Sequence, residues 1–213
     1  MTCVLHLAPH PDDEVLGAGA TLLGLRAHGH RVINLACTLG RAQDRRRRRR
    51  AELEEACQRA GFELIVLERS DLESTAREVI ERERVELVVA PDPEDAHPAH
   101  AEVAAAAGAA AQAGRAQLWR WGLWRDLARP TLFSGFGEER MAQLQHVLAA
   151  HRGELERNDY PELMRARAIA ARVLGAERVF GFGAPRRPEP YAELLADGGP
   201  PRTVDLADPL GGA

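Results

Sequence analysis

The 213-residue sequence predicts a doubly wound α/β fold, a mostly parallel sheet with helices on both faces. Three observations carry that prediction. Short apolar runs alternate with helical patterns from the first residues onward. The run Val85 to Ala90 shows no polar alternation, as expected of a strand buried on both faces. Two clusters of histidines and carboxylates follow the first and fourth runs, and a sheet of order 3-2-1-4-5 would bring them together beyond the carboxyl ends of its strands.

The elements follow in order. Cys3 to Ala8 reads as a buried strand, and Glu14 to Gly29 as a Leu- and Ala-rich helix stopped by its glycine. Arg31 to Thr38 is the second strand, and Gly40 leads to Asp44, an N-cap for a helix ending at Gly61. The pattern repeats with a strand at Glu63 to Leu67, a helix at Leu72 to Arg84 and the strand Val85 to Ala90. Ala99 to Ala113 is a helix of small side chains, and Leu118 to Trp124 alternates with period two, as a less buried fifth strand does. Helices at Glu138 to Leu155 and Pro161 to Leu174 are followed by a short strand at Arg178 to Phe182. This makes residues 1–183 the main domain. Residues 184–213 are a Pro- and Gly-rich tail, extended or partly disordered, of which Tyr191 to Leu195 is the piece expected to dock.

Hydrophobic residues make up 45% and charged residues 28%, the balance of a globular domain able to build its own core. A formal charge of -4 gives no general attraction to nucleic acid, so no nucleic-acid partner is expected. The run of arginines from Arg45 to Arg50 reads as a solvated helix face, because Glu52 and Glu54 fall where Arg48 and Arg50 can pair with them. No stretch approaches the roughly 20 apolar residues that span a bilayer. Three scattered cysteines, Cys3, Cys37 and Cys57, form neither a disulfide framework nor a CxxC site, which fits the cytoplasm.

The chemistry lies in two turns. The first holds His10, Asp12, Asp13 and Glu14, an imidazole beside three carboxylates that repel one another unless a cation joins them. The second holds Asp92, Glu94, Asp95, His97 and His100, whose imidazoles at i and i+3 can point the same way across a helix start. Two imidazoles and a carboxylate with one open position make up the usual catalytic zinc site, and hydrolysis of an amide also needs a base and an acid.

Ala8-Pro-His-Pro-Asp-Asp-Glu14 resembles the signature of the PIG-L/LmbE-like zinc deacetylases, and Asp95-Ala-His-Pro-Ala-His100 resembles their second motif. The resemblance implies that His10, Asp13 and His100 ligate Zn2+, that Asp12 is the general base, and that His97 stabilises the oxyanion or protonates the leaving amine. It also implies sugar contacts from Arg49 and from Asp71, and removal of an N-acetyl or related N-acyl group from a glucosamine-type sugar. Two positions depart from the family pattern: Ala99 stands where the second motif carries aspartate, and Arg41 where an acidic residue follows the Thr-x-Gly turn. Short loops after strands two and three predict little area to grip a large substrate.

Other readings compete. A zinc amidase acting on a non-sugar conjugate and a non-catalytic metal- or carbohydrate-binding module share these motifs, but Asp12 and His97 would be superfluous in the module. Trp119, Trp121 and Trp124 offer either core packing or a stacking face for a sugar, and a strand favours the core. His151 reads as a packed or surface histidine. A homo-oligomer would use the Trp-rich fifth strand or the tail as its interface.

Overall fold

The structure, a computed structural model, describes residues 1–40, 42–67 and 71–211. Its strands are β1 (Cys3–Ala8), β2 (Arg31–Ala36), β3 (Glu63–Val66), β4 (Leu87–Pro91), β5 (Gln117–Trp121), β6 (Leu132–Phe136), β7 (Tyr191–Leu195) and β8 (Arg202–Thr203). Its helices are α1 (Asp13–Leu16), α2 (Gly19–Ala27), α3 (Gln43–Ala60), α4 (Leu72–Glu83), α5 (Pro98–Gly114), α6 (Glu138–Leu148), α7 (Arg152–Leu155) and α8 (Tyr160–Phe180). Among the described residues, no helix is long and apolar enough to cross a membrane.

The first five strands form one all-parallel sheet in the order β3-β2-β1-β4-β5, the order expected from the sequence. Alternate side chains of each central strand enter different cores. Val4, Val32, Leu87 and Val89 pack with Leu22, Leu53, Leu144 and Met164 of α2, α3, α6 and α8. Leu5, Leu7, Ile33, Leu35, Val88 and Ala90 pack with Ala76, Ile80, Val103 and Ala107 of α4 and α5. The sheet is therefore buried on both faces, which explains why its strands read as continuous apolar runs.

A second sheet of order β7-β6-β8 lies beside the first, with β6 antiparallel to β7 and parallel to β8. Tyr191–Leu195, the segment expected to dock, is its strand β7. Strands β6 and β8 had no counterpart in the sequence reading. Arg178 to Phe182 is not a strand: α8 runs on to Phe180, burying Ala176 and Val179, and stops at Gly181, whose φ of 98° suits glycine.

The expected helix Glu14 to Gly29 is two helices. At Gly17 an added Cβ would lie 2.7 Å from the Trp121 ring, so the chain passes too close to that tryptophan to carry a side chain, and it bends there. The bend points the start of α2 at Glu193 of β7, whose carboxylate accepts from the Ala20 and Thr21 amides, both at 2.8 Å, and from Thr21 Oγ1 at 2.7 Å. The expected helix Glu138 to Leu155 also divides, with His151 as the N-cap residue of α7. For α3 the N-cap is Ala42, and Asp44 sits in the first turn instead.

Candidate metal centre

Strands β1 and β4 are neighbours, so the turns that follow them meet at the carboxyl edge of the sheet. In the first turn Asp12 takes a left-handed backbone, φ 109°, a conformation that Asp tolerates better than most residues. The turn is held by its own carboxylates. His10 N–H donates to Asp13 Oδ2 at 2.8 Å, and Asp12 N–H to Glu14 Oε2 at 3.0 Å. In the second turn His97 is the N-cap of α5, and its Nδ1 accepts from the Ala99 amide at 3.2 Å. His100, one turn along, is fully buried with its ring edge-on to Trp121, 5.3 Å between centroids.

Four donors converge there. Ligand atoms of His10, His97 and His100 lie within 4.8 Å of one another. Asp13 Oδ2 sits 3.3 Å from both His10 Nδ1 and His100 Nε2. Among the described residues, neither ring nitrogen of the buried His100 has a hydrogen-bond partner. An orphaned imidazole nitrogen facing a carboxylate and two further imidazoles is what a bound cation would satisfy, and the N/O donor set suits zinc.

The electrostatics divide the two adjacent aspartates. Burial alone would raise the Asp13 carboxyl, but the imidazoles of His10 and His100, each with a nitrogen 3.3 Å from its Oδ2, outweigh it and hold the group well below the usual carboxylate range. Asp12 moves the other way: burial, then Asp13, Glu14 and Glu154, push it well above that range, with Arg49 opposing. His97 is lowered by burial and by its neighbours His10 and His100, which favours the neutral imidazole.

Asp95 stands behind His100, with Oδ1 3.5 Å from its Nδ1. Its other oxygen accepts from the Leu123 and Trp124 amides at 2.9 and 3.1 Å. The same stretch of backbone is gripped from outside by Arg167 of α8, which donates to the carbonyls of Leu123 at 2.9 Å and Gly122 at 2.6 Å. Gly122 is confined, since an added Cβ would fall 2.3 Å from the Arg125 carbonyl oxygen. Glu14 reaches His151 Nε2 at 2.5 Å in a fully enclosed pair. Sequence reasoning gave none of Asp95, Glu14, Arg167 or His151 a role. Asp95 and Glu14, each inside one of the two motifs, were the ones with a local signal.

A cleft of about 1140 Å³ opens beside the cluster, lined on one side by His10 and His97 and on the other by residues of α3. That volume corrects the expectation of little gripping area. Arg49 lines the cleft, with NH2 3.1 Å from Glu154 and NH1 donating to the Leu39 carbonyl at 3.3 Å. Asp71 is an exposed N-cap of α4, accepting from the Ser74 amide at 3.0 Å, and is not among the described lining residues. The expected pairs Arg48–Glu52 and Arg50–Glu54 form at 2.9 and 3.0 Å. Trp119 and Trp121 are core residues, whereas Trp124 is 53% exposed with its ring 6.2 Å from that of His97. Arg41 lies outside the described residues.

The sheet and the donor cluster define a Rossmann-like α/β protein with a candidate metal centre at the switch point of its sheet. Residues 5–111 match the PIG-L family model, described as GlcNAc-PI de-N-acetylase, and the chain belongs to that family. No curated protein sequence is significantly similar to it. Among solved structures, a conserved protein of Thermus thermophilus superposes with TM-score 0.75 at 21% identity, covering 94% of this chain and 96% of that one. The N,N'-diacetylchitobiose deacetylase of Pyrococcus horikoshii gives 0.68 at 19%, covering 91% and 82%. The 4-carboxy-2-hydroxymuconate hydratase of Pseudomonas putida gives 0.72 at 18%, covering 97% and 100%. A deacetylase and a hydratase on one fold mean that the reaction has to be argued from the site.

Proposed function

We propose that the chain is a zinc-dependent deacetylase that removes an N-acetyl or related N-acyl group from a glucosamine-type sugar or its conjugate. The observation that carries the reading is the convergence of His10, Asp13, His97 and the orphaned His100 beside a second, buried carboxylate, Asp12. His10, Asp13 and His100 would hold the ion. A zinc ion held there would supply Lewis acidity for the amide carbonyl and lower the pKa of a water towards roughly 7.

The rest is done by side chains. Asp12 takes the proton of the attacking water; its raised proton affinity suits a group that must accept a proton and then give it to the leaving nitrogen. The Ala99 amide donates to His97 Nδ1, so the neutral ring keeps its proton on Nε2, where it can donate to the oxyanion. Arg49 contacts the sugar and lowers the proton affinity of Asp12 towards a working range. Asp71, also implied as a sugar contact, is occupied with capping α4, and we give it no part in the reaction.

The test is acetate release from N-acetylglucosamine by chelator-stripped and zinc-reloaded protein. Activity should appear only on reloading. Asp12→Asn should keep stoichiometric zinc while losing about 10²–10⁴ in kcat. Failure to bind zinc, or an undiminished rate in Asp12→Asn, would overturn the proposal. Stoichiometric zinc without acetate release would favour a non-sugar amide or a binding module.

A further inference from the structure

Asp12 is the residue that opens α1, yet its side chain makes no capping bond. An aspartate in that position ordinarily spends its carboxylate on the first amides of the helix. Here the amide of Asp12 is itself the held group, donating to Glu14 Oε2 at 3.0 Å, and its carboxylate takes no part in the cap. The backbone is left-handed, φ 109°, a conformation that a residue other than glycine keeps only where its surroundings hold it.

The other oxygen of the same glutamate, Oε1, lies 2.5 Å from His151 Nε2. His151 is fixed from behind. Its amide donates to the Leu148 carbonyl at 3.0 Å, and its carbonyl accepts from the Glu154 and Leu155 amides, both at 3.1 Å. The turn that follows is tied to α3, where Glu52 Oε1 accepts from the Gly153 amide at 3.1 Å. A line of bonds therefore runs from α3 through α7, His151 and Glu14 to one amide of the motif turn. Both side chains of the pair are fully buried, and neither is among the described residues that line the cleft. A buried pair of this kind stabilises a fold little more than apolar side chains of the same volume would, so stability alone does not account for it beside this turn.

We propose that Glu14 and His151 are positioning residues: His151 orients the Glu14 carboxylate, Glu14 fixes the Asp12 amide, and the left-handed turn so held aims the Asp12 carboxylate at the attacking water. This rests on reading Asp12 as the general base of a deacetylase. A base acts only within hydrogen-bond reach of the proton it takes, so a turn that relaxes costs rate while leaving substrate binding as it was.

The experiment measures acetate release from N-acetylglucosamine by zinc-loaded protein. His151→Phe keeps a planar ring and removes the donor; kcat should fall about 10–100-fold at unchanged KM and zinc stoichiometry, as misplacement of a reacting group does. His151→Gln, whose Nε2 can reach the same oxygen, should recover part of that loss. In an Asp12→Asn background His151→Phe should cost nothing further, because residues that act through one group are not additive. An undiminished kcat, a loss carried by KM, His151→Gln no better than His151→Phe, or a full further loss in the Asp12→Asn background would overturn the proposal. If His151→Phe does not fold, Glu14→Gln, which gives up the charge facing His151, replaces it in the same cycle. If the wild type releases no acetate, the deacetylase reading falls and hydrogen exchange decides the positioning. The Asp12 amide should then exchange at least about tenfold faster in the variant while the amides of β1 stay as in the wild type. An Asp12 amide that exchanges as before overturns it.

Discussion

Glu14 and His151 stand 137 positions apart in sequence and meet with no access to water. Burial disfavours the imidazolium, but the charge and hydrogen bond of Glu14, then Glu52 and Glu154, outweigh it and raise the His151 pKa. Folding therefore favours the bound proton. The stabilisation is fully present below the unfolded value near about 6.5 and is lost as pH rises through the higher folded value. Urea midpoints should fall across that window in the wild type, whereas His151→Gln should lower stability by about 3 kcal/mol and flatten the slope. An unchanged slope in the variant would sink this account. With Asp12 as the proposed general base, its raised proton affinity should place the acid limb of kcat/KM above the usual carboxylate range, with activity lost as pH falls through it. Arg49→Gln removes the opposing cation, so a pH–rate profile should show the limb moved to higher pH. The dense motifs that hold Asp12 and His97 were legible because each packs its chemistry into a few residues. The Glu14–His151 pair was not, because nothing local to either residue records the other.

The bend between α1 and α2 illustrates why helix existence is more legible than helix continuity. Leu and Ala content supports a helix from Glu14 onward, but the Trp121 ring that forbids a side chain at Gly17 arrives from another strand. Gly17→Ala should destabilise the fold by about 1–3 kcal/mol, read as a lower urea midpoint, because the ring it meets is itself fully buried. A midpoint unchanged from wild type would mean the ring has room to move. Strands β6 and β8 escaped notice for a related reason. β6 contains Gly135 and closely follows Pro130, and β8 is two residues long, so neither carries a periodic signal. Their existence depends on β7, which pairs with β6 from Leu132 to Phe136. The stretch Arg178 to Phe182 misled in the opposite direction: its β-prone side chains complete a helix because Ala176 and Val179 bury there.

At the scale of the whole molecule, strand order 3-2-1-4-5 was legible because alternation and short connections leave few topologies for a parallel sheet. What stayed hidden is how the second half of the chain supports the first. Arg167 of α8 grips the carbonyls of Gly122 and Leu123, whose neighbouring amides hold Asp95, which backs His100. On the proposed zinc site, Arg167→Met should weaken metal binding about tenfold in a chelator competition, as loss of support behind the proposed ligand His100 would, although Arg167 touches none of the proposed ligands. Unaltered affinity would show that the backbone holds Asp95 without it. The Glu193 cap on α2 has a temporal consequence. The carboxylate that completes the start of this helix lies 172 residues downstream of Thr21. During synthesis the helix emerges long before its cap, so its first amides must rely on water while the parallel sheet is already available to assemble. A chain ended before residue 193 would thus carry the whole five-stranded sheet sequence and still lack the carboxylate that completes α2.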